Sequence, residues 1–167
     1  GADKLIMPGV GHFGKAMSVL RARDLEDSLN DAVLNKRHPV LGICLGMELM
    51  ARHSEEGDSS GLGWFDADVV RFDVREKSRF KVPHSGWNRI NVEKPSRLMH
   101  GVTAESEFYF LHAYHMRLSD PAEILAATEY ESPFVSAVER ENIFGVQFHP
   151  EKSHDAGLQI LKNFVEL

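Results

Sequence analysis

The sequence is poor in the features that mark several protein classes. It holds one cysteine, Cys44, in 167 residues, which excludes an internal disulfide and any metal site built from several thiolates. No apolar run approaches the roughly 20 residues of a bilayer-spanning helix. Lys and Arg number 19 against 25 Asp and Glu, a net charge of −6, and no basic stripe of the kind nucleic-acid binders carry is present. No repeat, low-complexity tract or linker divides the chain. The rest is ordinary for a globular protein, with 43% hydrophobic and 26% charged residues. A chain of this length is expected to fold as one domain (1–167) that buries about 70% of its unfolded surface. Gly1-Ala2-Asp3 runs at once into Leu5-Ile6-Met7. The expectation is a sequence that opens inside a domain, N-terminally shortened and cytoplasmic.

Apolar patterning orders the elements. Leu5 to Met7 reads as a short strand closed by Pro8-Gly9-Val10-Gly11. From Lys15 to about Arg37, apolar residues at 16, 19, 22, 25, 29, 32 and 33 form a helical stripe. Val40-Leu41-Gly42-Ile43 is an unbroken apolar run, as in a parallel strand covered on both faces, and Leu45 to about His53 reads as a second helix. Strand, helix, strand, helix points to an α/β fold whose mostly parallel central sheet is flanked by helices. After Gly61, short β-type runs separated by prolines (64–72, 88–92, 107–111, 124–128, 134–138, 143–148) extend that sheet or add a small antiparallel one. Residues 155–166 close the chain as a helix.

Cys44 lies in Gly42-Ile43-Cys44-Leu45-Gly46, between an expected strand and an expected helix. That is the context of a nucleophile elbow with cysteine in place of serine. Glycines permit the sharp turn, and a helix N-terminus beside the sulfur favours thiolate. The competing reading is a small buried core residue. A thiol nucleophile needs a base, and the base needs an orienting group. His149, in Phe148-His149-Pro150-Glu151, is delivered by the apolar run 143–148. Two residues apart in extended chain, His149 and Glu151 share a side. The backbone of Gly9, Val10 and Gly11 and the N–H of Leu45 are candidate oxyanion donors. His84 reads as structural. His112 and His115 fall in a strand-like run and do not read as a metal site.

Together the segments PGVGHFGKAM (8–17), PVLGICLGMELM (39–50), SEEGD (54–58), KVPHSGWNRI (81–90), FYFLHAYH (108–115) and FGVQFHPEKS (144–153) resemble the class I, triad-type glutamine amidotransferases. Among them they are similar to the glutaminase subunits of imidazole glycerol phosphate synthases. The resemblance covers essentially the whole chain and implies a flavodoxin-like sheet. It implies Cys44, His149 and Glu151 as the triad. It places Gly9, Val10, Gly11, Leu45, Glu48, Glu56, Ala113 and Tyr114 around the substrate, with Glu56 holding the glutamine amino group. Trp87, Tyr109 and Lys152 match positions near a partner and an ammonia passage. The implied chemistry is glutamine hydrolysis through a cysteine thioester, without cofactor or metal. Ammonia would pass to a (β/α)₈ cyclase subunit, with no role for nucleic acid or membrane. The same glutaminase chemistry serving a cell-surface sugar amidotransferase, a stand-alone γ-glutamyl thiol hydrolase and a non-catalytic binding subunit are the alternatives.

Four features depart from the family pattern. A further N-terminal strand and helix are expected ahead of Leu5 and are missing, which would make that strand a sheet edge. Glu48 stands where glutamine is usual, Ser85 replaces a methionine, and Ala113 replaces Ser or Thr. A carboxylate at 48 is expected to repel the α-carboxylate of glutamine, so Glu48→Gln is expected to raise kcat/KM.

Overall fold

The computed structural model describes residues 2–167. The first strand, β1 (Leu5–Gly9), leads into α1 (Phe13–Ala22), α2 (Leu25–Asn30) and a π-helical turn over Asp31–Asn35. Strand β2 (Val40–Cys44) meets the one-turn helix α3 (Leu45–Glu48), followed by β3 (Ala51–Ser54), β4 (Ser59–Ser60) and β5 (Phe65–Arg71). Next come β6 (His84–Arg89), β7 (Asn91–Val92), β8 (Glu107–His112) and β9 (Tyr114–Leu118). The chain closes with β10 (Ile124–Tyr130), β11 (Ser132–Arg140), β12 (Ile143–Val146) and α4 (His154–Val165).

The main sheet runs β1-β2-β12-β11-β9-β5-β3-β4, with β10 paired to β11 and β7. Strands β1, β2 and β12, which carry the candidate site, are parallel, as are β3 and β5; antiparallel pairs complete the mixed sheet. The small antiparallel piece is the separate pair β6–β8, with His84 opposite His112 and Trp87 opposite Tyr109.

Alternation along the strands divides the core between the two sheet faces. Val40 and Ile143 pack with Phe13, Met17, Trp64 and Phe65. Their chain neighbours Leu41 and Phe144 pack with Phe108, Phe110, Phe148 and Phe164, in the same cluster as Cys44. Each buried phenylalanine contributes about 1.5–3 kcal/mol by leaving water.

Two expected helices differ from the observed ones. The stretch from Lys15 to Arg37 breaks at Asp24, whose φ of 54° is left-handed, a conformation aspartate tolerates. The break changes the buried face: Phe13, Met17 and Val33 are buried, while Val19 and Leu25 are exposed. Helix α3 stops after one turn, and Ala51–Ser54 is a strand rather than the second half of a helix. The carbonyls of Leu49, Met50 and Ala51 accept from the N–H groups of Leu62, Phe65 and Gly63. Sheet pairing thus takes the groups a longer helix would have used, and tertiary context overrides local propensity. Of β9, only the part around His115 falls in an expected strand-like run; the strand continues to Leu118.

Candidate active site

Cys44 is the last residue of β2 and sits at φ 52°, ψ −112°. For a side chain with a Cβ, a sparsely populated conformation of this kind costs about 1–3 kcal/mol, and its surroundings must enforce it. The flanking glycines show how. A Cβ on Gly46 would lie 1.7 Å from the Met7 carbonyl oxygen of β1, and one on Gly42 would lie 2.7 Å from the Gly46 backbone. The elbow is therefore pressed directly onto the neighbouring strand, and only glycine fits at either position.

Strand β12 lies beside β2 in parallel register, with Val146 opposite Ile43, and delivers His149 to the same sheet end. His149 is 2% exposed. Its Nδ1 is 2.7 Å from Glu151 Oε1; with that nitrogen donating to the carboxylate, Nε2 carries the lone pair. That Nε2 is buried without a hydrogen-bond partner. The backbone around it is tied down twice: His149 N–H donates to Tyr109 O at 2.8 Å, and Ser153 Oγ donates to His149 O at 2.6 Å while accepting from Tyr109 N–H at 3.0 Å. Cys44 hangs on the same strand, its thiol donating to Leu111 O at 3.8 Å. Tyr109 and Leu111, two residues or about 7 Å apart along β8, thus hold the base and the sulfur respectively.

The resting thiol differs from expectation. Cys44 is 6% exposed, and burial, then the nearby Glu48 carboxylate, push its pKa up to about 12 against the downward pull of the Leu45 N–H and Gln147. Desolvation outweighs the dipole of a four-residue helix, so the sulfur rests as a thiol and makes no hydrogen bond to His149.

Glu48 is buried on α3, and its carboxyl accepts from Gln147 Nε2 at 2.9 Å. Burial, augmented by the charge of Glu56, raises its pKa from 4.5 to about 8. The folded chain therefore keeps a proton that the unfolded chain releases. The stabilisation this acid gives is complete below about pH 4.5 and is lost as the pH rises through about 8. Thermal midpoints are expected to decline more steeply towards alkaline pH in the parent than in Glu48→Gln. Parallel declines would remove Glu48 as the cause.

The other expected residues fall into three groups. Gly9 lies opposite Cys44 in the β1–β2 register and backs onto Leu45 and Gly46, each within 3.5 Å of where its Cβ would be. Val10, 75% exposed, and Gly11, at φ 111°, continue from it into the open. Glu56 caps the start of α1, its Oε2 accepting from Phe13 N–H at 2.7 Å. Ala113 links β8 and β9, its carbonyl accepting from Phe72 N–H at 3.0 Å. Tyr114 packs with the cluster of Phe13 and Trp64, not with the one holding Cys44. Trp87, Tyr109 and Lys152 share one surface: the rings of Trp87 and Tyr109 meet edge-on at 6.0 Å, and Lys152 Nζ lies 5.6 Å over Tyr109.

Sequence reasoning missed Gln147, Ser153, Leu111 and His154. Gln147 lies in a bend between β12 and His149, where no strand periodicity assigns it a side. His154, which stacks on Trp87 at 5.0 Å, carried no sequence signal. His84 is structural as expected: its Nδ1 is 3.0 Å from His112 Nε2, and His112 Nδ1 is 2.6 Å from Tyr114 O. Burial keeps both rings neutral, lowering His84 to about 4 and His112 to about 3.

The family model described as glutamine amidotransferase class-I matches residues 2–167. A Pseudomonas aeruginosa protein named imidazole glycerol phosphate synthase subunit HisH 2 is 49% identical over 166 residues, 99% of this chain and 81% of its own length. A Methanococcus maripaludis protein of the same name is 46% identical over 165 residues, with 99% and 81% covered. Among solved structures, one titled crystal structure of glutamine amidotransferase superposes with a TM-score of 0.72 at 22% identity, covering 99% of this chain and 80% of that one. The Thermotoga maritima structure titled PurLQS gives 0.70 at 14%, with 98% and 79% covered. These two likenesses concern the fold.

Proposed function

Because the chain belongs to the class-I glutamine amidotransferases, we propose that it is the glutaminase subunit of an imidazole glycerol phosphate synthase, working in histidine biosynthesis in the cytoplasm. The observation that carries the reading is the 49% identity across 99% of the chain to a subunit of that synthase.

In this reading Cys44 Sγ attacks the carboxamide carbon of glutamine as His149 Nε2 takes the thiol proton. Glu151 holds the ring by Nδ1 and stabilises the imidazolium. His149 then returns the proton to the leaving nitrogen, releasing ammonia and leaving a γ-glutamyl thioester. Water, deprotonated by His149, attacks the thioester, and glutamate departs. A resting thiol held up by burial suits this sequence, since the proton leaves only when the base and an electrophile are both in place. Backbone N–H groups from Gly9 to Gly11 and from Leu45 serve the oxyanion, and Glu56 receives the amino group of glutamine. At neutral pH the Glu48 carboxyl keeps its proton and repels nothing. The gain in kcat/KM expected of Glu48→Gln is therefore confined to pH above about 8.

The surface formed by Trp87, Tyr109, Lys152 and His154 is where we place the (β/α)₈ cyclase, joined as a heterodimer. Ammonia released into bulk water would be protonated and lost as a nucleophile, so the product must leave towards a covering partner. The test is labelling by the glutamine analogue diazo-oxo-norleucine, with and without the histidine-pathway cyclase. Label is expected on Cys44, with glutamine turnover rising when the cyclase is added. No label on Cys44 in the presence of the cyclase would overturn the glutaminase reading. Full turnover by the isolated chain, indifferent to the cyclase, would overturn the partnership.

A further inference from the structure

Gln147 is fully buried just beyond β12. Its backbone N–H donates to Ser136 O of β11 at 2.9 Å, which fixes where its side chain starts. The side-chain Nε2 lies 2.9 Å from Glu48 Oε1 and 3.9 Å from Cys44 Sγ. A primary amide has two N–H bonds, so one is available to each partner. The thiol itself donates to Leu111 O, and that carbonyl offers nothing to a thiolate. Among the described residues, Gln147 is the side-chain donor that hydrogen-bonds the sulfur.

We propose that Gln147 is a positioning residue for the nucleophile: one amide N–H donates to the Cys44 thiolate when it forms, and the other donates to the Glu48 carboxyl. The proposal rests on the reading of Cys44 as nucleophile. The charged and titratable groups that act on this centre are Glu48 from α3, Glu56 from the turn after β3, and His149 and Glu151 from the segment after β12; β8 presents a carbonyl. Two of the three carboxyl groups, Glu48 and Glu151, oppose a negative sulfur. A hydrogen bond to an ionised acceptor is roughly twice as strong as a neutral one, so the amide acts chiefly on the charged form. The same N–H₂ group lowers both the thiol and the Glu48 carboxyl, as a donor shared between two developing anions must.

The test uses the full chain and iodoacetamide, with the alkylation rate of Cys44 followed against pH. Gln147→Met keeps the side-chain length and removes the amide. At a fixed alkaline pH its alkylation rate is expected to fall about tenfold, the loss of thiolate that corresponds to one pKa unit. With the cyclase present, kcat for glutamine is expected to fall by about the same factor while KM stays within about twofold. Above about pH 8, where Glu48 is charged, Glu48→Gln is expected to raise the rate. Should Gln147→Met not fold, Gln147→Asn carries the test, because its shorter side chain withdraws the N–H from the sulfur. An unmoved alkylation profile in the folded variant would overturn the proposal. Absence of glutamine turnover in a parent that alkylates normally would instead strike the glutaminase reading, leaving the role of Gln147 to be judged by the alkylation rates.

Discussion

Replacing His149 by asparagine is expected to lower glutamine turnover in the cyclase complex by about 10⁴-fold or more, the scale at which triads lose activity when the base is removed. The backbone at this position is held independently of the ring, through Tyr109 O and Ser153 Oγ. The ring's one partner, Glu151, is 49% exposed, so its carboxylate is left in water, not in the interior. The loss should therefore fall on chemistry, with the far-ultraviolet spectrum retained and a modest change in thermal midpoint. Steady-state glutamate release together with a melting curve checks both. A variant retaining a tenth of the parent activity would mean that another group removes the Cys44 proton. Glu151→Gln is expected to cost less than the loss of the ring, because it keeps a hydrogen-bond acceptor on Nδ1.

Gly46→Ala is expected to prevent folding of the chain to a stable monomer, or to destabilise it by about 4 kcal/mol or more, the range reserved for gross packing conflicts. The added methyl would stand 1.7 Å from Met7 O and 2.8 Å from Met7 C. Both are backbone atoms of a paired strand and cannot swing aside. Gly42→Ala meets backbone at 2.7 Å and should come next in severity. At Gly11 no heavy atom lies within 4 Å of the added methyl, leaving only the cost of φ 111° for a residue with a Cβ. Urea midpoints and soluble yields in the order Gly11, Gly42, Gly46, from mildest to worst, are the expected outcome. A Gly46→Ala chain with a parental midpoint would show that β1 is not locked against the elbow.

The parts of this fold that were legible in the sequence are those whose neighbours are themselves regular. Val40–Ile43 and Ile143–Val146 are unbroken apolar runs, and they lie side by side in the parallel part of the sheet. The pairing of His149 with Glu151 was expected from alternation in extended chain, but the reason differs: Pro150–Lys152 is a 3-10 turn, and that turn brings the carboxylate to 2.7 Å from the ring. The helix expected over 45–53 was not, because its second half is claimed by hydrogen bonds from Leu62, Gly63 and Phe65, which no local pattern reveals. The protonation of Cys44 was misjudged for a related reason. A helix start is visible in sequence, whereas the burial that overrides it is a property of the assembled core. Gln147 sits in a bend past β12, its partner Glu48 is 99 positions away, and only the folded chain shows what the amide is for.

The insertion of β12 between β2 and β11 orders events during synthesis. The sulfur and its amide neighbour are separated by 103 positions, and the base follows later still. A ribosome that has made the elbow has yet to make His149, the base placed at the same sheet end. The elbow thus waits for β12 and the segment after it, which bring Gln147 to the sulfur and His149 to the same sheet end.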